Sequence, residues 1–173
     1  SDNVSQVAIR LFSDKQLRIH SILPYGTTLI LATSEGLVRA DISSKNLGSI
    51  EDSFRELDLP GLEVRVILKL HIGSNETIWL SGNNSFTHLK SNKSGELEIL
   101  DHVQDNRFRG IRDFTIDHEN NVWLSTFKSG FFRYRTSSKN LVQFKPGSSN
   151  STVTSANTAA IECDAEGNIW IGT

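Results

Sequence analysis

The stretch Asp164-Ala165-Glu166-Gly167-Asn168-Ile169-Trp170-Ile171-Gly172-Thr173 decides the fold, because its second half recurs along the chain. Each copy reads polar, apolar, large apolar, apolar, small and then Thr or Gly, and the copies lie at 28–33, 77–82, 121–126 and 168–173. The third position, which we call the anchor, is occupied by Ile30, Trp79, Trp123 and Trp170. The anchors are 49, 44 and 47 residues apart and include every tryptophan of the chain. A period of this length is typical of repeat architectures.

The residues before the anchor predict a β-hairpin. In the third and fourth copies an apolar strand and a tight turn precede the anchor, at 113–121 and 160–168. In these turns Asp117 and Asp164 can accept hydrogen bonds from the following backbone amides, while Asn120 and Gly167 can adopt a positive φ at low cost. The turn of the second copy, at 73–77, is degenerate, and that of the first copy, at 24–28, is one residue shorter.

The residues after the anchor predict a third and a fourth strand. Two segments read as third strands, at 36–41 and 130–135, and each is followed by Ser-Ser-Lys-Asn-Leu, at 43–47 and 137–141. Short fourth strands are predicted around 54–57, 97–100 and 141–144. The repeating unit therefore contains four antiparallel strands joined by short turns, which is the pattern of a propeller blade.

The predicted fold class is all-β, a β-propeller fragment of about three and a half four-stranded blades that spans 1–173. We number the predicted units blade 1 to blade 4, at 19–57, 64–100 and 111–144, with the first half of the fourth at 154–173. The segment 7–12 is predicted to be the strand of a neighbouring blade, so we expect a longer parent protein. A single blade cannot bury both faces of its sheet, so the anchor tryptophans are expected to be wedges in the core between blades.

Composition argues against several classes of function. The net charge is −2 and the basic residues are scattered, so we expect no nucleic-acid partner. No apolar run is long enough to cross a bilayer, so we expect no membrane contact within this segment. The single cysteine, Cys163, excludes an intrachain disulfide and a multi-cysteine zinc site, and it is expected to be a small buried apolar residue.

No catalytic residue, metal site or cofactor is predicted. The five histidines show no pairing typical of a metal site, and each is interpreted as a lone surface or strand residue: His20, His71, His88, His102 and His118. No nucleophile elbow, phosphate-binding loop or dinucleotide fingerprint occurs.

The candidate ligand-binding residues lie in loops that a propeller places on one face. These loops are the turns between second and third strands and the connections between blades, at 104–110 and 145–157. We expect Lys128, Arg107 and Arg109, together with Phe127, to hold a sugar acid or a sulfate by charge and stacking. The full predicted set is Asn83, Asn84, Arg107, Arg109, Phe127 and Lys128.

The pattern Asp-x-x-Gly-Asn-Ile-Trp-Ile-Gly-Thr at 164–173, with Gly-Leu-x-Arg-x-Asp at 36–41, resembles the two-component regulator propeller repeat. The fourth copy matches best, and the first copy lacks both the tryptophan and the Asp turn. The resemblance implies a periplasmic sensor region of a hybrid histidine kinase anchored in the inner membrane. It further implies an oligosaccharide ligand and no catalysis in this segment.

Two other functions remain open. The repeats of streptogramin lyases also carry Asp-x-x-Gly-Asn-Ile-Trp, and such an enzyme needs a histidine and an acid that converge on the channel with a metal ion. His71 and His118 fall in different phases of the repeat, which argues against a lyase. A passive protein-interaction scaffold would instead present a large apolar surface patch. In each case the remaining blades of the parent, or another copy of the chain, are expected partners.

Overall fold

A computed structural model describes residues 18–42, 54–60, 62, 69–73, 76–108, 110–149 and 153–173. Several predicted features lie outside these residues: the strand at 7–12, the turn at 43–47, the start of blade 2 at Val64, and Arg109.

The described strands form three four-stranded sheets and one two-stranded sheet, each antiparallel and ordered as in the sequence. This topology confirms the predicted fold class, and each sheet corresponds to one blade. Blade 1 contains β1 (Ile19–Tyr25), β2 (Thr28–Thr33), β3 (Gly36–Asp41) and β4 (Phe54–Leu57). Blade 2 contains β5 (Lys69–Ile72), β6 (Ile78–Ser81), β7 (Ser85–Ser91) and β8 (Leu97–Gln104). Blade 3 contains β9 (Ile111–Ile116), β10 (Val122–Thr126), β11 (Phe131–Arg135) and β12 (Asn140–Phe144), and blade 4 contains β13 (Ala160–Cys163) and β14 (Ile169–Gly172).

Two strand limits differ from the prediction. β8 continues to Gln104, four residues beyond the predicted end at Leu100, because β7 pairs with it as far as Ser85 opposite Gln104. The first strand of blade 4 begins at Ala160 and not at Thr154, since the preceding residues bond to the β10–β11 turn instead of a neighbouring strand. The connection after β8 also contains a short 3₁₀ helix, Asn106–Phe108.

The predicted Asp turn forms as a closed hydrogen-bonded unit in blade 3. One carboxylate oxygen of Asp117 accepts from the backbone amides of Glu119 at 3.0 Å and Asn121 at 2.8 Å, and Asn120 has a φ of 61°. The other oxygen accepts from the indole Nε1 of Trp123 at 2.8 Å. The spacing of Asp and Trp in the motif therefore allows the indole to donate a hydrogen bond to the carboxylate. The sequence alone did not reveal this bond.

The same unit recurs in blade 4, where Asp164 accepts from the amide of Asn168 at 2.7 Å and from Trp170 Nε1 at 2.7 Å. Gly167 supplies the positive φ, 88°. In blade 2, Gly73 occupies the position of this aspartate, and a Cβ there would lie 2.8 Å from Nε1 of Trp79. The same Cβ would lie 2.6 Å from Oγ1 of Thr77, so a side chain here would force Thr77 and Trp79 to shift.

The first two anchors, Ile30 and Trp79, face the next blade. Ile30 packs in an aliphatic cluster with Leu70 and Leu80 of blade 2. Trp79 packs in an aromatic cluster that joins blade 2 to blade 3, with members Phe86, Phe108, Ile111, Phe114, Val122, Leu124, Phe132 and Tyr134. The predicted wedge is thus confirmed for Trp79, which is 1% exposed.

The wedge prediction is only partly right for Trp123, and for Trp170 it stays a prediction. Trp170 is 64% exposed, because the described residues place no sheet against that side of β14. Trp123 is half-buried and stacks with Phe131 and Phe144 of its own blade. Cys163, expected to be buried, is likewise only half-buried at the end of β13.

A planar or cationic side chain lies opposite the anchor on the third strand in blades 1, 2 and 3. His88 stacks on Trp79 with ring centroids 3.8 Å apart, and burial lowers the pKa of this histidine. The guanidinium of Arg133 lies 5.4 Å from the ring of Trp123. In blade 1, where the anchor is Ile30, Arg39 instead reaches blade 2 and donates to the Gly95 carbonyl at 3.1 Å.

The first strands of neighbouring blades adjoin and are joined by side chains at equivalent positions. Ser21 Oγ accepts from the amide of Leu70 at 3.3 Å. Asp113 forms an ion pair with Lys69 of blade 2 and accepts from the amide of Ile161 of blade 4 at 3.1 Å. Asp113 therefore links three blades.

Candidate ligand-binding site on the loop face

Backbone hydrogen bonds bring the predicted binding loops together. The carbonyl of Asn83 accepts from the amide of Ile111 at 2.9 Å, and the carbonyl of Gly110 accepts from the amide of Phe127 at 3.0 Å. On the other side of the β10–β11 turn, the amide of Gly130 donates to the Ala156 carbonyl at 2.7 Å. These contacts join the β6–β7 and β10–β11 turns and the connections at 104–110 and 145–157 into one surface, which we call the loop face.

The loop face contains an open cavity of about 760 Å³ between blades 2, 3 and 4. Its lining comes from the β6–β7 and β10–β11 turns, from the residue before β9, from β12 and from the connection after β12: Asn83, Gly110, Phe127, Lys128, Ser129, Gln143, Lys145, Pro146 and Ala156. A cavity of this size is within the range of small-molecule sites.

Phe127 is the aromatic element of this cavity. Its side chain is 41% exposed. The guanidinium carbon of Arg112 lies 4.7 Å from the ring centroid, and Nζ of Lys128 lies 4.9 Å from it. Both distances are within the range of cation–π contacts.

Unusual backbone geometry holds these side chains in place. Lys128 has a φ of 73°, and its amide donates to Oδ1 of Asn157 at 3.1 Å. Gly110 has a φ of 67°, and a Cβ there would lie 3.5 Å from Cβ of Phe127 and 3.9 Å from Oδ1 of Asn83. A non-glycine residue in the left-handed region is uncommon, and such residues cluster at functional sites.

The structure brings together only part of the predicted set. Asn83, Phe127 and Lys128 line the cavity, whereas Asn84 contributes its carbonyl to a backbone bond with Asp105, at 3.1 Å. Arg107 was expected to hold an anion, but its guanidinium is bound to the carboxylate of Asp105, with nitrogen–oxygen distances of 2.6 and 3.0 Å. The hydrogen bond with Arg107 lowers the pKa of Asp105, so this arginine's charge is already compensated.

Sequence reasoning missed two lining residues, Gln143 and Lys145, and the neighbouring Arg112, which lies against Phe127 outside the lining. Gln143 and Arg112 lie on strands, where alternation alone gives no sign of a binding role. Lys145 is the first residue of the 145–157 connection, which is predicted as a binding segment, but Lys145 is not in the predicted set of binding residues. The Lys-Pro-Gly turn at 145–147 was the available signal.

The charge at the cavity is of one sign. None of the described residues that line it is acidic. Within the described part of the chain, no ion pair involves Lys128, Lys145 or Arg112; the three pairs there are Lys69–Asp113, Arg107–Asp105 and Lys139–Asp101. The cavity is therefore electropositive.

A second cavity, of about 670 Å³, lies between the outer strands of blades 1 and 2. Its rim carries the carboxylates of Glu56, Asp58, Glu96 and Glu98, while Arg39 crosses it to Gly95. Over the described ranges, no group of three or more His, Cys, Asp or Glu side chains is placed to hold a metal ion. The described residues also contain no helix of the length and apolarity needed to span a membrane.

Comparison with known proteins gives matches at the level of structure. No protein family matches the sequence, and no curated protein matches it. The β-propeller domain of Cps50 (Swd1) from Myceliophteria thermophila superposes with a TM-score of 0.60 at 15% identity, over 91% of this chain and 52% of that one. The chain is part of a β-propeller.

Two further propellers are similar in structure. Virginiamycin B lyase from Staphylococcus aureus has a TM-score of 0.60 at 12% identity, over 88% of this chain and 48% of the lyase. The extracellular domain of the hybrid two-component system BT3049 from B. thetaiotaomicron has a TM-score of 0.54 at 15% identity, over 96% of this chain and 28% of that domain. The chain thus spans between a quarter and about half of the propellers that it matches, and identities this low establish the shared fold alone.

Proposed function

We propose that this chain is a ligand-binding segment of an extracytoplasmic sensor propeller in a two-component receptor, and that it binds a glycan fragment without catalysis. The observation that carries the proposal is the cavity on the loop face, with Phe127 exposed between polar side chains. In this proposal the parent receptor is anchored in the inner membrane and the propeller lies in the periplasm.

The side chains of the cavity suit a sugar. Ligand sites combine apolar surface with a few polar groups that set orientation. Phe127 offers apolar ring surface, and Asn83 offers an amide that forms no side-chain hydrogen bond with any described residue. An amide of this kind can donate to and accept from sugar hydroxyls.

The repeat motif and the fold support the sensor role. The motif at 164–173 resembles the two-component regulator propeller repeat, and the extracellular domain of a hybrid two-component system shares the fold. The face of β14 that carries Trp170 is proposed to pack against the remaining blades of the parent, or against another copy of the chain.

An oligosaccharide array probed with the purified chain tests the proposal, followed by calorimetric titration of the best ligand. Phe127→Ala should weaken binding by about tenfold or more, because truncated aromatic contacts are common hot spots. Leu100→Ala, which removes another half-exposed apolar side chain on β8, should leave the affinity unchanged. An array without binding, or equal losses in both variants, would contradict the proposal.

A lyase is the second candidate, and the structural similarity to virginiamycin B lyase favours it. Its expected histidines lie apart, however. His71 is on β5 with its ring edge against Phe114, whereas His118 lies in the β9–β10 turn near Gly167. A passive scaffold is the third candidate, and it predicts no binding on the array.

A further inference from the structure

We infer that the cavity on the loop face selects saccharides that carry an anionic group, a carboxylate or a sulfate ester, and that Lys128 and Lys145 bind this group. The inference rests on the proposed function, since it concerns the same cavity, but it can fail while that function holds.

Uncompensated positive charge is the first argument. Lys128 and Lys145 both line the cavity, and the guanidinium carbon of Arg112 lies 4.7 Å from the ring centroid of Phe127, another lining residue. No described residue forms an ion pair with these three cations, whereas the nearby Arg107 is fully paired with Asp105. Cations that converge without acids repel one another, and a bound anion removes that repulsion.

The position of the cations relative to Phe127 is the second argument. Lys128 Nζ lies 4.9 Å from the ring centroid, so the ammonium group is held beside the apolar surface. A cation–π contact leaves the ammonium donors available, and a lysine has three of them. A sugar ring against the exposed part of Phe127 would bring a charged substituent within reach of these donors.

The local backbone restricts Lys128 further. Its amide donates a hydrogen bond to Asn157, and its φ is positive. The turn that carries it is bonded to Gly110 on one side and to Ala156 on the other. A cation on a fixed turn loses less freedom when it binds than one on a mobile loop, which favours a specific charge-assisted hydrogen bond.

Calorimetric titration of the whole 173-residue chain tests the inference with four probes. These are α-1,4-trigalacturonate, a sulfated galactotriose, neutral α-1,4-galactotriose and inorganic sulfate. The neutral trisaccharide should bind at least about tenfold more weakly than the tighter-binding of the two acidic trisaccharides. Comparison of the two acidic trisaccharides shows whether the cavity prefers a carboxylate or a sulfate. Added salt should weaken binding of the acidic probe alone.

Charge-removing variants locate the effect. Lys128→Gln and Lys145→Gln should each lower the affinity for the acidic probe about tenfold, the loss typical of one hydrogen bond to a charged group. Lys93→Gln, which removes an exposed lysine from the β7–β8 turn, should not change it. Circular dichroism and the urea midpoint verify that each variant is folded.

Three results would overturn the inference. If neutral and acidic trisaccharides bind equally and Phe127→Ala abolishes both, the cavity binds sugars without selecting charge, and the proposed function stands. If inorganic sulfate binds as tightly as the acidic trisaccharides, the site holds a free anion only. If none of the four probes binds, the anionic specificity is rejected, and the array decides the proposed function separately.

Discussion

At the scale of single residues, the anchor position shows how one residue type has different roles in successive blades. Trp79 and Trp170 occupy the same phase of the repeat, but 1% of the first and 64% of the second is exposed. Burial of an indole contributes to stability only where a neighbouring blade removes it from water. The sequence predicts the phase, but not which copies are covered.

Substitution of the two anchors should therefore have unequal effects. Trp79→Ala should lower the free energy of unfolding by about 3–5 kcal/mol, as for other buried aromatic residues, whereas Trp170→Ala should cost less than about 1 kcal/mol. Urea denaturation followed by circular dichroism measures both. If Trp79→Ala does not fold, Trp79→Phe compared with Trp170→Phe gives the same ranking, and equal losses would contradict the assigned packing.

Some residue roles in the candidate site could be predicted from type and position, and others could not. Phe127 and Lys128 were predicted because an aromatic and a cation in a turn between second and third strands reach the loop face. Arg107 was predicted on the same ground, yet its charge is compensated by Asp105 two residues earlier. Sequence shows which groups are available, but the 3₁₀ turn that brings these two together is visible only in the structure.

At the scale of elements, the hairpin turn before the anchor is one hydrogen-bonded unit in blades 3 and 4. Burial alone raises the pKa of Asp117, but hydrogen bonds from Trp123, Asn121 and Glu119 outweigh burial and hold that pKa below its ordinary value. For Asp164, the indole of Trp170 is the main cause of a lowered pKa. The charged form of the aspartate therefore stabilises the folded turn.

Asp117→Asn should destabilise the protein in a manner that depends on pH. A lowered folded-state pKa means that the contribution is complete above the unfolded pKa, about 3.9, and is lost as pH falls through the folded pKa. At neutral pH we expect a loss of about 1–3 kcal/mol, the range for hydrogen bonds to a charged group. Urea denaturation of wild type and variant from pH 7 downward should show the difference shrinking below about pH 4.

Asp58→Asn is the matched control, because Asp58 is an exposed carboxylate outside any hairpin turn. Its effect should be small at every pH. A difference between wild type and Asp117→Asn that stays constant into acid would show that the carboxylate charge does not stabilise the turn.

Strand order and pairing were predictable, but one strand end was not. Four short strands per repeat follow from the alternation of apolar residues and the turn chemistry. β8 continues beyond the predicted end at Leu100, and there Asp101 accepts a hydrogen bond from the hydroxyl of Tyr134 in blade 3 at 2.9 Å. Burial and this bond raise the pKa of Tyr134 to about 12. A partner in the next blade lets a polar residue continue a strand.

At the scale of the whole molecule, apolar clusters and a row of polar contacts along the first strands hold the blades together. Asp113 is the central member of that row because it reaches Lys69, its neighbour Phe114 and Ile161. Blade 4 has only two described strands and adjoins blade 3 mainly through β9 and β13. We therefore expect the attachment of blade 4 to depend on Asp113.

Hydrogen exchange measured by NMR tests this attachment. In Asp113→Ala the amide of Ile161 should exchange about tenfold faster or more, since it loses a bond to a charged acceptor, and protection in β13 and β14 should fall with it. Protection in blade 1 should be unchanged. In the control Asp105→Asn, which alters only the local pair with Arg107, Ile161 should keep its protection; a uniform change across all blades would contradict the assigned role.

The direction of the anchors has a consequence for how such a chain can grow by gene duplication. The side chains around Ile30 are aliphatic, including Leu70 and Leu80 of blade 2, whereas those around Trp79 include several aromatic rings and come largely from blade 3. A tandem copy of blade 2 would set Trp79 against the space that now fits Ile30, and overfilling of this kind strains a packed interior. The core-facing residues on both faces of a duplicated blade would therefore have to change before the blade could pack well. This requirement is consistent with neighbouring repeats that share turns and spacing but differ in their core residues.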